Sequence, residues 1–503
     1  ADLVTRKCAT FVSRPDQGIT AEVFARTDPL TGMIENLVAG EIVRNGVVIK
    51  NPSGMNRFAQ ALLNAEYSPV RVNCLGDSLT LGTYSNDSSV PVDSVADAQG
   101  YVGRLRSMLA RRFDTNPAGF IAANDSRNTL SGTGAASSSI GPVINTVRTN
   151  GVTTLGGALP LPGAATITIP VPASTDIEIL YLDSNANSSA GGVGANTGTF
   201  SYAVDGGGAT TTTADNTNPV SYKKISITGL SATTHSLVLT GVTGTCYIIG
   251  VMYHSGRGVV VSRFGLGGAT CLDLTGEGVV THLSAGGVHR IFASYGPSAA
   301  PVVITGAVTN GSPVVTGISS TSGIVAGMPV GASAHLPLPC FVKSVDSATQ
   351  ITLTANATAD NAARTMYVGA GTTISGDLWI IPIGHNDWQQ QNSAYPTTVP
   401  VFKTQMQRVI DQIVNAGGCV LLVGEPDSNN SAPAPEMYRD SDYWTAIDEL
   451  SDANTHVASV QVNRYFGTFD NAKSLGYLSD AGGVHPLKKG SVKMASVIDA
   501  VLP

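Results

Sequence analysis

Four short stretches of the chain carry residue types whose order suits acyl transfer. Gly76-Asp77-Ser78-Leu79-Thr80 sets a serine close to a glycine, just past the strand-like stretch Val70-Arg71-Val72-Asn73-Cys74-Leu75. At the carboxyl edge of a buried strand, where open α/β sheets present their ligands, such a serine can act as a nucleophile. Gly-Asp-Ser is also an ordinary turn sequence, so this stretch alone decides nothing. Phe264-Gly265-Leu266-Gly267-Gly268-Ala269-Thr270 ends a second strand in glycines. With no Cβ in the way, their backbone N–H groups can approach a developing oxyanion, though a plain glycine-rich loop reads the same. In Pro382-Ile383-Gly384-His385-Asn386-Asp387 the Asn386 amide is a further oxyanion donor, or a cap on the following turn. Last, Ser479-Asp480-Ala481-Gly482-Gly483-Val484-His485-Pro486 offers His485 as general base, with a carboxylate nearby to hold its tautomer. A lone histidine is more often structural; four such edges, in order along one α/β pattern, are far less expected by chance.

The elements that must position these residues follow from hydrophobic periodicity. Val70–Leu75, Val259–Ser262, Leu378–Ile383, Cys419–Val423 and Val457–Val462 read as buried strands. Helices are expected at about 55–66 and 100–113, and along the face Phe402, Met406, Val409, Ile410 and Ile413 that stops at Gly417-Gly418. Further helices are expected at 437–454 and through Met494, Val497, Ile498 and Val501. Strands alternating with helices predict a parallel sheet covered on both faces. Between these pieces the text changes to short Thr-, Ser-, Gly- and Val-rich runs at about 130–256 and 302–370, the first with few charges, which predicts a β-sandwich and a smaller β unit. Asn45-Gly46 between Leu37-Val38 and Val47-Val48-Ile49 predicts a type I′ hairpin in a small N-terminal β module. The expected layout is a β module over 1–52, α/β text over 53–129, 257–300 and 373–503, and β insertions over 130–256 and 301–372.

On these residues the sequence resembles the SGNH hydrolases, also called GDSL esterases and lipases. Gly76-Asp77-Ser78-Leu79, Gly267-Gly268-Ala269-Thr270, Gly384-His385-Asn386-Asp387 and Val484-His485-Pro486 match the family's four blocks. The resemblance implies an SGNH-like three-layer α/β fold, Ser78 as nucleophile and His485 as base. It also implies an oxyanion hole of the Ser78 N–H, the Gly268 N–H and the Asn386 amide, with Gly267 as the alternative in the looser glycine block. The family's acid usually stands three residues before the histidine, where this chain has Gly482. Asp480, five before it, takes the role if the loop bulges; otherwise a Ser-His dyad is oriented by a backbone carbonyl. The long gaps from Ser78 to Gly268 and from Gly268 to Asn386 coincide with the two β insertions.

Composition bounds the remaining functions. The 503 residues exceed one ordinary core, and 42% hydrophobic content excludes a disordered chain. With 29 Lys and Arg against 36 Asp and Glu there is no broad positive field for nucleic acid. No apolar run approaches the roughly 20 residues of a membrane-spanning helix. Residues 1–7 lack the basic-then-apolar order of a signal peptide, and a removed one leaves no trace. The six cysteines form no C-x-x-C pair and read as buried thiols; no metal and no cofactor is expected. The uncharged β text also resembles, in composition, phage or prophage tail fibres and tailspikes, some of which carry SGNH deacetylases. That setting implies a virion-tail or extracellular location, a homotrimer or other tail proteins as partners, and an acetylated bacterial polysaccharide as substrate. Tyr181, Tyr202 and Tyr222 are candidate sugar platforms or ordinary sandwich residues. The expected activity is removal of acyl groups, foremost O-acetyl. Two alternatives are a glycan-binding adhesin on a spent hydrolase scaffold and a lipase or short-chain esterase, the lipase weakened by the lack of an apolar lid.

Overall fold

The computed structural model describes residues 10–12, 23–25, 41–85, 98–123, 125, 127–131, 159–183, 198–212, 221–265, 267–275, 302–326, 328, 330–331, 335–336, 342–368, 376–393, 396–415, 417–430, 437–481 and 483–503. Its centre is a seven-stranded sheet. The strands are β1 (Glu41–Arg44), β2 (Val47–Lys50), β3 (Val70–Gly76), β4 (Val259–Gly265), β5 (Leu378–Pro382), β6 (Cys419–Gly424) and β7 (Val457–Gln461), in the spatial order β4-β3-β5-β6-β7-β2-β1. From β4 to β7 every pairing is parallel. The five parallel strands therefore end on one edge; three of the blocks of candidate chemistry follow the ends of β3, β4 and β5, and the fourth precedes the last helix.

Nearly every residue of the inner strands is buried because side chains alternate between two apolar clusters. Trp379, Ile381, Val420 and Leu422 join one cluster with α4 (Cys271–Thr275), α6 (Val399–Asn415) and α7 (Asp440–Ala453). Leu378, Ile380, Leu421 and Val423 join the other with α1 (Asn56–Leu63), α3 (Tyr101–Arg112) and α9 (Lys488–Val501). The face expected along Phe402 to Ile413 is fully used. α6 stops where Gly417, at φ +93°, lets the N–H groups of Gly417 and Gly418 return to the carbonyls of Val414 and Ile413.

The Asn45-Gly46 hairpin forms with φ +50° and +80° at the two residues, as a type I′ turn requires. It does not stand in a separate module. β2 pairs antiparallel with β7 through Lys50 and Ser459, so residues 41–50 extend the central sheet. A local turn signal could not show that non-local pairing.

The Thr- and Gly-rich text forms further antiparallel sheets. Strands 119–122, 159–162, 176–183, 221–227 and 245–254 make one, and 129–131, 166–174, 199–204, 210–211 and 233–243 make another. Ile167, Ile169, Ile177, Ile179, Leu237, Leu239 and Ile248 place the two sheets on one shared apolar cluster. Tyr181 and Tyr202 pack against that cluster, and Tyr181 meets Phe200 edge-on at 5.1 Å. Both contribute to the sandwich interior; the Tyr222 side chain lies outside the described residues. A six-stranded antiparallel sheet over 302–368 has its own cluster around Ile304, Val315, Ile351 and Met366.

The first pair of sheets is joined to the central one by both core and charge. Phe120, Leu180, Ile249 and Met252 enter the cluster of Phe264 and Trp379. Glu178 Oε1 accepts from Arg71 of β3 at 2.7 Å and from Lys224 at 2.9 Å. Burial works to raise the Glu178 pKa, but the hydrogen bond with His254 and the charges of Arg71 and Lys224 outweigh it and hold the carboxyl well below its usual range. Cys74, Cys246, Cys271 and Cys419 are buried and form no disulfide among the described residues, while Cys8 and Cys340 lie outside them. Among the described residues no helix is long and apolar enough to cross a membrane.

Candidate active site

Ser78 opens the short helix α2 (Ser78–Leu81) directly after β3. Asp77 caps that helix, its Oδ1 accepting the Leu79 N–H at 2.8 Å. Three further contacts fix α2. Thr80 Oγ1 meets the Tyr101 hydroxyl at 2.9 Å, Arg263 donates to the Leu81 carbonyl at 2.5 Å, and the end of β4 lies so close that a methyl group at Gly265 would overlap the Leu81 and Thr80 backbone. The serine is therefore held by cap, helix and sheet together.

His485 comes from the loop before α9. Val484 anchors that loop in the core beneath the sheet, and the Leu487 N–H returns to the Tyr477 carbonyl at 2.8 Å. The imidazole Nε2 lies 2.6 Å from Ser78 Oγ, a hydrogen-bond distance at which the ring can take the hydroxyl proton. Tyr84 stacks on the same ring, with centroids 5.7 Å apart and planes 24° apart. Its φ of +61° is a left-handed conformation that tyrosine rarely adopts.

Asn386 lies on α5 (His385–Gln389), which starts at Gly384 with φ +133°. Its Nδ2 donates to Asp77 Oδ2 at 2.7 Å and to the Ala269 carbonyl at 3.1 Å. The block after β5 is thereby tied both to the serine and to the glycine loop after β4. Gly268 sits on that loop with φ +74° and open space where a Cβ would point. The loop is held to α5 a second time, because the Cys271 N–H donates to Asp387 Oδ1 at 3.0 Å. Ser78, His485, Asn386 and the Gly268 loop thus meet at one sheet edge, although 407 residues separate the first two.

Asp480 does not join them. Its carboxylate pairs with Lys473 of α8 (Phe469–Ser474), its side chain is 66% exposed, and it makes no hydrogen bond with His485. The expectation that the loop would bulge to bring Asp480 under the imidazole is corrected. The turn closes early, with the Gly483 N–H on the Ser479 carbonyl, and leaves the carboxylate within reach of a lysine seven residues earlier.

Sequence reasoning missed a set of buried polar groups behind Asn386. Asp77, Asp387 and Glu425 are all fully buried. Burial pushes Asp77 up to about 6, with the Leu79 N–H and the His385 charge opposing it. Burial pushes Asp387 up to about 8; Cys271 hydrogen bonds oppose this, and the charges of Asp273 and Asp77 add to it. Glu425 directly follows β6, as Asp77 follows β3, and a carboxylate just past a wholly apolar strand was the available signal. The adjoining loop reaches back to the histidine: Asn429 Nδ2 donates to the Asp480 carbonyl at 3.0 Å, and Asn430 Nδ2 meets His385 Nε2 at 2.7 Å.

The Asp387 shift carries a stability prediction. The folded state keeps this proton up to about pH 8, whereas the ordinary carboxyl releases it near 3.8. Over that window the folded state binds more protons than the unfolded state, so its stability falls as pH rises. Asp387→Asn keeps an oxygen for the Cys271 N–H and removes the titration. The variant is expected to match the parent near pH 4 and to exceed it at pH 8 by on the order of a few kcal/mol. Urea denaturation at the two pH values measures the difference, and equal gains at both would refute the assignment.

Among the described residues no cluster of histidine, cysteine and carboxylate side chains is arranged to hold a metal ion. No sequence-family model and no curated protein matches the chain. Solved structures do. A peptidoglycan O-acetylesterase is similar with a TM-score of 0.50 and 12% identity, over 89% of this chain and 94% of the other. A carbohydrate esterase family 2 enzyme with a carbohydrate-binding domain, from Corynascus thermopiles (Myceliophthora fergusii), has a TM-score of 0.27 and 11% identity, over 74% and 97%. A family two carbohydrate esterase from Cellvibrio japonicus has a TM-score of 0.20 and 12% identity, over 76% and 96%. At 12% identity, the likeness to the first is one of fold: a mixed α/β chain with several sheets, similar to an esterase.

Proposed function

We propose that the protein is a serine esterase of the SGNH type that removes acyl groups, foremost O-acetyl, from a bacterial surface polysaccharide. The observation that carries this reading is the 2.6 Å contact between Ser78 Oγ and His485 Nε2, at a sheet edge that also holds Asn386 and the Gly268 loop. The fold likeness to a peptidoglycan O-acetylesterase supports it.

In the proposed reaction His485 takes the Ser78 proton as Oγ attacks the ester carbonyl. The negative charge that develops on the carbonyl oxygen falls to the Ser78 and Gly268 N–H groups and the Asn386 amide. The Nδ2 hydrogen that meets the Ala269 carbonyl is the one the oxyanion would take over. His485 then protonates the departing sugar oxygen, leaving an acetyl group on Ser78. Water, deprotonated by His485, cleaves the acyl-enzyme to acetate and restores the serine. On this reading the strands over 119–254 and 302–368 are β insertions in an SGNH core. The tail-fibre setting and trimer rest on the composition of those segments. Acetate release across a panel of acetylated bacterial polysaccharides tests the substrate class, and comparing acetyl with octanoyl esters separates deacetylase from lipase. No turnover of any ester, and no labelling by a fluorophosphonate, would end the proposal.

Since Asp480 pairs with Lys473, Asp480→Asn is expected to keep kcat/KM within about 3-fold, whereas loss of a true triad carboxylate costs about 10⁴-fold. A large loss would restore Asp480 to the mechanism. The diverted carboxylate also motivates a second reading, a glycan-binding adhesin on a spent hydrolase scaffold. Glycan binding that survives Ser78→Ala, with no acetate released by the parent protein, would favour it.

A further inference from the structure

Glu425 has no part in the reaction described above, yet it is fully buried directly behind the site. Its Oε2 accepts the His385 N–H at 2.8 Å, and its Oε1 meets no donor among the described residues. The carboxyl lies beside that of Asp77, close enough to share a hydrogen bond. Asp77 already accepts from the Leu79 N–H and from Asn386 Nδ2, leaving lone pairs for one more donor.

The titratable groups facing this pair are His385 and Asp387 on α5, Asp440 at the start of α7 and Tyr101 on α3, whose hydroxyl meets Thr80; Asp427 follows on the loop of Glu425 and faces Asp440, and His485 stands beyond Ser78. His385 Nδ1 is turned to Asp440 Oδ2 at 3.5 Å and its Nε2 to Asn430. The surroundings are acidic and dry, and two adjoining anions there would each be disfavoured by burial and by the other.

We propose that Glu425 is a positioning residue that keeps a proton at neutral pH and donates it to Asp77, so that Asp77 in turn fixes the Asn386 amide. The shared proton removes one of two negative charges from beside the place where the oxyanion develops. The remaining charge still orients Nδ2. Burial and the Asp77 and Asp440 charges push the Glu425 carboxyl well above its ordinary range, in the direction this role needs.

The proposal rests on the esterase reading, and its test has one arm that needs no turnover. As pH rises through the pKa of the pair the proton is lost, the carboxylates separate, and kcat/KM is expected to fall on the alkaline side. Glu425→Gln supplies an amide N–H donor at every pH. It is expected to keep kcat/KM at neutral pH within about 3-fold, to move the alkaline limb up by at least about one pH unit, and to leave the acid limb in place. An unchanged alkaline limb in Glu425→Gln, or a loss of activity at every pH in folded protein, overturns the proposal. The second arm uses infrared spectroscopy on Asp387→Asn protein, which lacks the other strongly shifted acid. A carbonyl band of a protonated carboxylic acid is expected at neutral pH and should vanish when Glu425→Gln is added. Absence of that band overturns the proposal even if the protein turns over no ester, and its presence without turnover would mark failure of the esterase reading alone.

Discussion

Ser78→Ala is expected to lower kcat for acetyl-ester hydrolysis at least about 10⁴-fold, with KM little changed. The hydroxyl supplies the bond-forming oxygen, and its contact with His485 Nε2 at 2.6 Å gives its proton a route. Without it, the donors around Asn386 and Gly268 can still polarise a bound ester toward water, which leaves a small residual rate. The fold should be untouched: Ser78 is a small side chain at the start of α2, and that helix is held by the Asp77 cap, Tyr101 through Thr80, and Arg263 through the Leu81 carbonyl. Thermal unfolding should therefore coincide for parent and variant, while fluorophosphonate labelling disappears from the variant. His485→Ala should lose a similar factor, and the double variant little more, because the two groups act as one unit. An unchanged rate in folded Ser78→Ala would remove Ser78 from the chemistry.

The parts of this site that could be read from sequence are those in which chemistry and geometry are local. A serine past the alternating strand text Val70 to Leu75, or an asparagine behind Pro-Ile-Gly-His, states its place at a strand end without knowledge of the partners. The same holds for the α6 face and for the Asn45-Gly46 turn, where φ preferences within a few residues determine the conformation. What was missed depends on distant pairing. The 41–50 hairpin belongs to the central sheet because Lys50 meets Ser459 across the chain. Asp480 lost its expected role to Lys473, an outcome that hinges on where one loop turns. Glu425, in Gly-Glu-Pro-Asp, carries only the mark of following an apolar strand. It is buried only because β6 runs between β5 and β7 and delivers it against Asp77.

Asn386→Ala is expected to cost about 10²–10³-fold in kcat with a much smaller change in KM, the signature of a donor used mainly in the transition state. In the resting site one Nδ2 hydrogen is committed to Asp77 Oδ2 and the other rests on the Ala269 carbonyl at 3.1 Å. The shorter bond orients the amide, and the longer one marks the donor that can turn to an oxyanion at little cost. Truncation to alanine removes both, and so also leaves Asp77 Oδ2 without a donor in a fully buried place. A loss of stability of roughly 1–3 kcal/mol should accompany the kinetic loss. Asn386→Asp separates the two effects. It is nearly isosteric, but it sets a third carboxyl against Asp77 and offers no amide hydrogen, so it should be at least as slow as alanine and should recover partially at acidic pH, where a protonated carboxyl can donate. A rise in KM with kcat unchanged for Asn386→Ala would instead assign the residue to substrate binding, and a variant as active as the parent would leave the oxyanion to the Ser78 and Gly268 N–H groups.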